Sequence, residues 1–257
     1  MSAPTERAGG DVTVVLIHGG ASSSSFWDLL VPYLACPAVA LDTPGRAGKP
    51  ADPMTLTVDE CVASMVADLD QLDLGDVIVV AHSSGGLFVP GVVAALAPRV
   101  RHIVLSSGCV PTEGGLGLEA MKPSYARRNV EAMDAARRDG RTLTTPGPPG
   151  DAERLRSAYG VPLDDEQLAF VAAPERNPRD SMNIYFQPVY WSRAAGIPVT
   201  VIRQLLDPVT PLELQDEMIG RLPSPELVTV VDLETGHIPA VTHPRELAAI
   251  LDEVIGS

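Results

Sequence analysis

Positive charge is scarce in this sequence. Its 19 lysine and arginine residues oppose 33 aspartate and glutamate residues, which gives a formal net charge of −14 over 257 residues. A nucleic-acid-binding protein needs a basic surface patch, and anionic membranes attract basic segments, so the excess of acid argues against both partners. No apolar run is long enough to span a bilayer, and residues 1–10 lack the apolar core of a signal peptide. These absences predict a cytoplasmic protein.

Cysteine is also rare. The three cysteines, Cys36, Cys61 and Cys109, lie far apart, and neither their odd number nor their spacing indicates a disulfide framework or a metal site. We interpret them as buried or incidental thiols in a reducing compartment. The sequence therefore implies neither a metal nor an organic cofactor.

Apolar segments of strand length alternate with helical segments along the chain. This alternation is typical of a parallel sheet with helices on both faces. Residues 57–60, Thr-Val-Asp-Glu, form a capping box that predicts a helix to about residue 72. The predicted strands cover residues 12–17, 38–41, 77–82, 101–106, 198–205 and 227–233. The other predicted helices cover residues 26–34, 86–96, 124–138, 164–171, 180–185 and 244–255.

We predict one domain over residues 1–257, a mostly parallel, doubly wound α/β sheet with a mainly helical lid insertion. Residues 11–107 and 197–257 would form the sheet and its helices. Residues 108–196 would form the lid, because short helical patches there are interrupted by proline and glycine, most densely at residues 145–150.

Aromatic residues make up only 4% of the chain, and many of them lie between residues 159 and 191. We predict that this cluster forms an apolar roof over the site. Tyr185, Phe186 and Trp191 would then line a pocket for a fairly hydrophobic substrate. The alternative is that these rings only pack the lid onto the core.

The most informative motif is a serine among small residues directly after a strand. Residues 81–86 read Ala-His-Ser-Ser-Gly-Gly and connect an apolar strand to a helix. This is the setting of a nucleophile elbow, a tight turn that exposes a serine hydroxyl above the sheet. Ala81 replaces the first glycine of the usual G-x-S-x-G pattern, the mildest replacement available. We predict Ser83 as the nucleophile, although such a turn alone is also typical of an ordinary loop.

A glycine-rich turn, residues 18–21, follows the first strand. Backbone N–H groups can point into a site there without a Cβ in the way. In a site of this type, one oxyanion donor comes from this turn and the other from the residue after the nucleophile. The predicted oxyanion hole is therefore the backbone N–H groups of Gly20 and Ser84. His18 and His82, which precede the turn and the elbow serine, would buttress their loops.

Two further polar residues, Asp207 and His237, each follow a predicted strand near the C-terminus. The chain order Ser, Asp, His is that of α/β-hydrolases rather than that of chymotrypsin or subtilisin. His237 is the predicted general base, and Asp207 would fix its tautomer. His243 and Glu234 are weaker alternatives for the base and the acid. Taken alone, an aspartate before proline or a histidine after glycine is usually an ordinary loop residue.

These motifs resemble the α/β-hydrolase superfamily over nearly the whole chain. More narrowly, the chain is similar to the compact methylesterase and hydroxynitrile-lyase-like branch with its bacterial esterases. Gln204 departs from the small residue that related sequences often have before the acid loop. Hydroxynitrile lyases place a lysine after the catalytic histidine, so Ile238 argues against cyanogenic lyase activity. The residues that carry the resemblance are 14–20, 81–86, 207–208 and 235–237.

The sequence and this resemblance imply a serine hydrolase that cleaves a carboxylic ester, a lactone or a thioester of a small molecule through an acyl-enzyme. One alternative is lyase, cyclase or C–C bond chemistry on a natural-product intermediate with the same scaffold, because a fold does not determine a reaction. Another is a ligand-binding, receptor-like protein with little turnover. The sequence is compatible with an oligomer.

Overall fold

The computed structural model describes residues 12–46 and 48–256. The predicted start of the sheet region at residue 11 and the N-terminal segment 1–10 lie outside this range. Within it, no helix is both long enough and apolar enough to cross a membrane.

A six-stranded parallel sheet forms the centre of the fold, with the strand order β2-β1-β3-β4-β7-β8. The chain runs from β1 outward to β2 and returns to β3 on the other side of β1. In such sheets a crevice forms at the carboxyl ends of the strands where the order reverses. The loops after β1 and β3, which carry the predicted oxyanion turn and elbow, therefore meet. The strands are β1 (Thr13–Ile17), β2 (Ala38–Leu41), β3 (Val77–His82), β4 (Val100–Ser106), β7 (Val199–Gln204) and β8 (Val228–Leu233).

Helices cover both faces of the sheet, as predicted for a doubly wound fold. Alternate residues of a strand point to opposite faces. Accordingly, Val15 and Ile17 of β1 belong to one hydrophobic cluster, whereas Val14 and Leu16 belong to the other. The helices are α1 (Val58–Leu69), α2 (Val89–Leu96), α3 (Pro123–Arg138), α4 (Ala152–Ser157), α5 (Asp165–Ala172), α6 (Leu212–Ile219), α7 (Pro239–Thr242) and α8 (Pro244–Gly256).

Local sequence signals predicted several of these elements well and others poorly. The capping box at Thr57 is formed, because its hydroxyl accepts from the backbone N–H of Glu60 at 3.1 Å and the Glu60 carboxylate accepts in return at 2.8 Å. The predicted helix 26–34 is instead two short 3₁₀ turns, Ser24–Trp27 and Val31–Tyr33. Pro32 explains the interruption, because proline has no N–H to donate within a helix. Helices α4, α6 and α7 were not predicted.

Residues 108–196, the inserted segment, leave the sheet after β4 and return to it before β7. They contain α3, α4 and α5. Near the two ends of the segment, the short strands β5 (Gly115–Leu116) and β6 (Pro188–Val189) pair antiparallel. This pairing brings the two ends of the segment together.

Candidate active site

Ser83 lies in a tight turn directly after β3. Its φ of 50° is a left-handed conformation that side chains rarely adopt. The turn packs closely against neighbouring backbone because Gly85 and Gly86, which follow Ser84, have no side chain. A Cβ on Gly85 would lie 2.7 Å from the carbonyl oxygen of His18, and one on Gly86 would lie 2.5 Å from that of Cys109. Only glycine fits at either position, because backbone atoms cannot give way.

A hydrogen-bonded chain joins three side chains from separate loops. The distance from Ser83 Oγ to His237 Nε2 is 3.2 Å, and that from His237 Nδ1 to Asp207 Oδ2 is 2.7 Å. Asp207 and His237 are both buried. The structure thus brings together the serine, base and acid that the sequence motifs predicted. It gives no comparable contact to the alternatives, because His243 hydrogen-bonds to Thr235 and Thr242.

The carboxyl group of Asp207 is held as an anion. Its burial would by itself raise its pKa, but the pKa lies below the ordinary value because His237, the backbone N–H of Thr210 and the hydroxyl of Ser107 all stabilise the charge. Ser107 donates to Asp207 Oδ2 at 2.9 Å, and the N–H groups of Val209 and Thr210 donate to Oδ1 at 2.7 and 2.9 Å. A carboxylate with these partners keeps the facing imidazole nitrogen protonated.

The predicted oxyanion turn lies against the elbow. A Cβ on Gly19 would lie 2.8 Å from Nδ1 of His82, and one on Gly20 would lie 2.7 Å from the hydroxyl of Tyr185. The backbone N–H of Gly20 has no acceptor among the described residues. Gly20, Ser83 and Ser84 line the same cavity. The turn therefore offers a free donor beside the serine.

The cavity above Ser83 has a volume of about 440 Å³. Tyr185 lines it, as predicted, but Phe186 and Trp191 do not. The side chain of Trp191 is buried in the hydrophobic cluster, where its turn packs on α2. Phe186 faces the guanidinium group of Arg137, whose Cζ lies 5.4 Å from the ring centroid. For these two residues the alternative interpretation, packing of the inserted segment onto the core, fits the structure.

Cys109 also lines this cavity, but it is not poised as a nucleophile. Burial, with a further contribution from nearby Asp207, raises the pKa of its thiol to about 12. A thiolate is the reactive form of cysteine, so Cys109 does not compete with Ser83 as a candidate nucleophile. Among the residues that the structure describes, no group of three or more histidine, cysteine or carboxylate side chains is arranged to hold a metal ion.

Comparison with known proteins agrees with this geometry. Residues 14–250 match the model of a family described as the alpha/beta hydrolase family. The chain belongs to the α/β-hydrolase family. The resemblance seen in the sequence motifs is therefore confirmed, and so is the predicted α/β sheet.

Similar α/β-hydrolases align with nearly all of the chain. Lipase LipV of Mycobacterium tuberculosis is 26% identical over 268 residues, covering 96% of this chain and 94% of the lipase. Pyrethroid hydrolase of Sphingobium wenxiniae is 27% identical over 253 residues, covering 93% of this chain and 86% of that protein. A solved structure, an extracellular α/β-hydrolase from a Paenibacillus species, has a TM-score of 0.75 at 19% identity and covers 94% of this chain and 98% of that chain.

The loop of His237 depends on a contact that sequence analysis missed. The backbone N–H of His237 donates to the carbonyl oxygen of Tyr159 at 2.8 Å. A Cβ on Gly236 would lie 1.8 Å from the same oxygen, and one on Gly160, whose φ is 94°, would lie 2.0 Å from the carbonyl oxygen of Leu206. Residues 159–160 of the inserted segment thus lie between the acid loop and the base loop. No sequence motif marks them, because they act through the backbone.

Gln204 has a structural role that explains its departure from related sequences. Its side chain is fully buried at the end of β7. With Oε1 accepting from Ser106 at 2.6 Å, the amide nitrogen donates to the Ser107 hydroxyl at 2.8 Å and lies 3.1 Å from the carbonyl oxygens of Gly236 and His237. The side-chain amide of Gln204 therefore links Ser107, which donates to Asp207, to the loop that carries His237.

His82 supports the base from the opposite side. Its Nε2 donates to the carbonyl oxygen of His237 at 2.7 Å, and its ring stacks on Phe26 at a centroid distance of 4.6 Å. Its Nδ1 is buried and has no partner among the described residues. Burial, with a further contribution from His237, lowers the pKa of His82 to about 3. His82 is therefore neutral and buttresses the elbow, as predicted.

A buried ion pair supports the predicted oxyanion turn. Arg46 pairs with Asp180 of the inserted segment, and Asp180 Oδ2 also accepts from the backbone N–H of Ala21 at 2.5 Å. The backbone N–H of Thr145 donates to the carbonyl oxygen of Asp180 at 2.9 Å, and the Thr145 hydroxyl accepts from the backbone N–H of Asp180 at 2.9 Å. Asp180 thus connects the turn after β1, through its carboxylate, to Thr145 in the wall of the cavity, through its backbone. Sequence analysis did not single out either charged residue.

Gly236→Ala should destabilise the protein, because the added Cβ would displace the carbonyl of Tyr159. We expect the free energy of unfolding, measured by urea titration, to fall by about 1–3 kcal/mol, the usual cost of overpacking. Gly150→Ala is the matched control, since no atom lies within 4 Å of its Cβ position. Equal unfolding free energies for the two variants would contradict this account of the loop.

His82 should make the protein sensitive to acid. The unfolded chain gains a proton on His82 as the pH falls through 6.5, whereas the folded protein does not until about pH 3. Within this window the group lowers the free energy of unfolding by about 1.4 kcal/mol for each pH unit of acidification. His82→Gln keeps a donor for His237 and should reduce the slope of unfolding free energy against pH, between pH 6 and 4, by that amount. An unchanged slope would show that His82 is protonated in the folded state.

Proposed function

We propose that this protein is a serine hydrolase that cleaves the carboxylic ester of a fairly hydrophobic small molecule through an acyl-enzyme. The observation that carries the proposal is the chain of hydrogen bonds from Ser83 through His237 to Asp207, at the floor of a cavity of about 440 Å³. The relatives named a lipase and a pyrethroid hydrolase support hydrolysis as the reaction.

Ser83 is the proposed nucleophile. His237 Nε2 takes the hydroxyl proton as Ser83 Oγ attacks the ester carbon, because a neutral imidazole suits this transfer near pH 7. Asp207 holds Nδ1 protonated and stabilises the imidazolium that forms. The short distance of 2.7 Å between Asp207 and His237 supports this role.

The proposed oxyanion donors are the backbone N–H groups of Gly20 and Ser84. They would stabilise the negative oxygen of the tetrahedral intermediate, a contribution of about 3 kcal/mol for each donor in comparable enzymes. His237 then returns its proton to the alcohol as the ester C–O bond breaks. A water molecule attacks the acyl-enzyme by the same route, which releases the acid and restores Ser83. Lactones and thioesters are compatible with these steps.

We propose that the inserted segment acts as the lid of this site. It supplies much of the cavity wall, including Met121, Tyr159, Met182 and Tyr185. The apolar side chains among them support a substrate with a hydrophobic part. Ile238, which follows the base, is buried and carries no charge, so no lysine is present at that position to hold cyanide.

Ser83→Ala should abolish ester turnover while the protein remains folded. We expect kcat for 4-nitrophenyl butyrate to fall by about 10⁴-fold or more, the usual loss for a nucleophile of this kind. A fluorophosphonate probe should label the wild-type protein at Ser83, located by peptide mass mapping, and should not label His237→Ala. Ser157→Ala, on an exposed serine of α4, is the control that should retain both activities. Wild-type turnover by a folded Ser83→Ala variant would refute the proposal.

A further inference from the structure

The charge of the cavity wall differs in sign from that of the protein. The chain has 33 acidic and 19 basic residues. The cavity above Ser83 nevertheless contains two cationic side chains, Lys122 and Arg128, and none of the described residues that line it is an aspartate or a glutamate. A cavity without carboxylates in such an acidic protein favours a ligand with negative charge.

The two cations are not neutralised by the protein. Neither Lys122 nor Arg128 has a carboxylate within 4.0 Å among the described residues. Both instead contact the ring of Tyr125, with Arg128 Cζ 4.9 Å and Lys122 Nζ 5.5 Å from its centroid. Tyr125 also lines the cavity. An aromatic ring positions a cation without cancelling its charge, so the charges stay available to a ligand.

Their position relates them to the proposed reaction. Lys122 occupies the N-cap position of α3, and its ammonium group donates to the carbonyl oxygen of Pro208, the residue after Asp207. Arg128 lies six residues later on the same helix, about 9 Å along its axis. Both cations therefore lie on the part of the cavity wall that the inserted segment contributes, whereas Ser83 lies in the turn after β3. Apolar side chains such as Met121 and Met182 line the same cavity.

We propose that the substrate is an ester that carries a carboxylate remote from the bond that is cleaved, and that Arg128 and Lys122 bind this carboxylate. The proposal rests on the ester hydrolysis proposed above and narrows it to anionic esters such as monoesters of dicarboxylic acids. A guanidinium group can bind a carboxylate through two parallel hydrogen bonds. An apolar chain of a few methylene groups would lie along the methionine side chains, between the two polar ends of the substrate.

The test compares esters that differ only in charge. Monobutyl adipate carries a carboxylate at the acyl end, and its primary amide is a neutral substrate of the same shape. The hexanoate ester of 6-hydroxyhexanoic acid and its amide place the same difference at the alcohol end. We expect the wild-type protein to prefer the carboxylate in at least one pair by about tenfold in kcat/KM, mainly through KM, the usual effect of one charge-assisted hydrogen bond.

The variants assign the preference to the two cations. Arg128→Gln should bring the carboxylate-to-amide ratio of kcat/KM close to one, and Lys122→Gln should reduce it. Arg127→Gln is the matched control, because Arg127 is an exposed arginine of the same helix, as Arg128 is, but does not line the cavity; it should keep the wild-type ratio. The preference should also shrink in 1 M NaCl, where the screening length falls to about 3 Å.

Binding to Ser83→Ala separates this inference from the proposed reaction. Calorimetry should show tighter binding of the carboxylate than of the amide in at least one pair. If neutral and anionic esters are hydrolysed equally in a Ser83-dependent manner, the carboxylate inference is overturned and the ester hydrolase proposal stands. If the binding preference is present but no ester is hydrolysed, the carboxylate inference stands and the ester hydrolase proposal is overturned. A preference that survives in both Arg128→Gln and Lys122→Gln also overturns the inference.

Discussion

The hydrogen bond between Asp207 and His237 depends on how closely the loops after β7 and β8 approach. The distance of 2.7 Å between Asp207 Oδ2 and His237 Nδ1 requires both loops to be held in place, and residues outside the two loops hold them. The backbone of residues 159–160 lies between the loops and accepts the N–H of His237. The side-chain amide of Gln204 contacts the carbonyl oxygens of Gly236 and His237 in the loop after β8. The inserted segment is thus part of the support of the site as well as part of the cavity wall.

Several buried polar groups around the site are held in one charge state by their surroundings. Burial lowers the pKa of His18 and of His82 to about 3, so both rings are neutral supports rather than competing bases. Asp207 is buried too, yet it stays ionised because three hydrogen-bond donors and an imidazole surround it. Burial therefore has opposite outcomes for charge, because Asp207 meets donors and an imidazole that stabilise its anion, whereas the surroundings of the two histidines do not stabilise a cation enough to offset burial.

The two parts of the proposed substrate-binding surface come from different parts of the chain. The loops of the sheet supply Ser83 and the predicted oxyanion turn, whereas the inserted segment supplies the apolar and cationic walls. The Arg46–Asp180 ion pair and the N–H of Ala21 join the two parts next to the oxyanion turn. A division of this kind lets the wall change its specificity while the reacting groups keep their geometry.

Strand periodicity, the small residues after β3 and the order Ser83, Asp207, His237 predicted the sheet and the candidate reactive residues, because these are local patterns that a fold of this type uses repeatedly. They did not predict α4, α6, the broken helix after β1 or the places of Phe186 and Trp191. The roles of Tyr159, Asp180 and Gln204 were also hidden. These features arise from contacts between residues far apart in sequence, several of them through backbone atoms that are the same in every residue. The sequence by itself determined which residues could react; only the tertiary structure decided what holds them and what charge faces them.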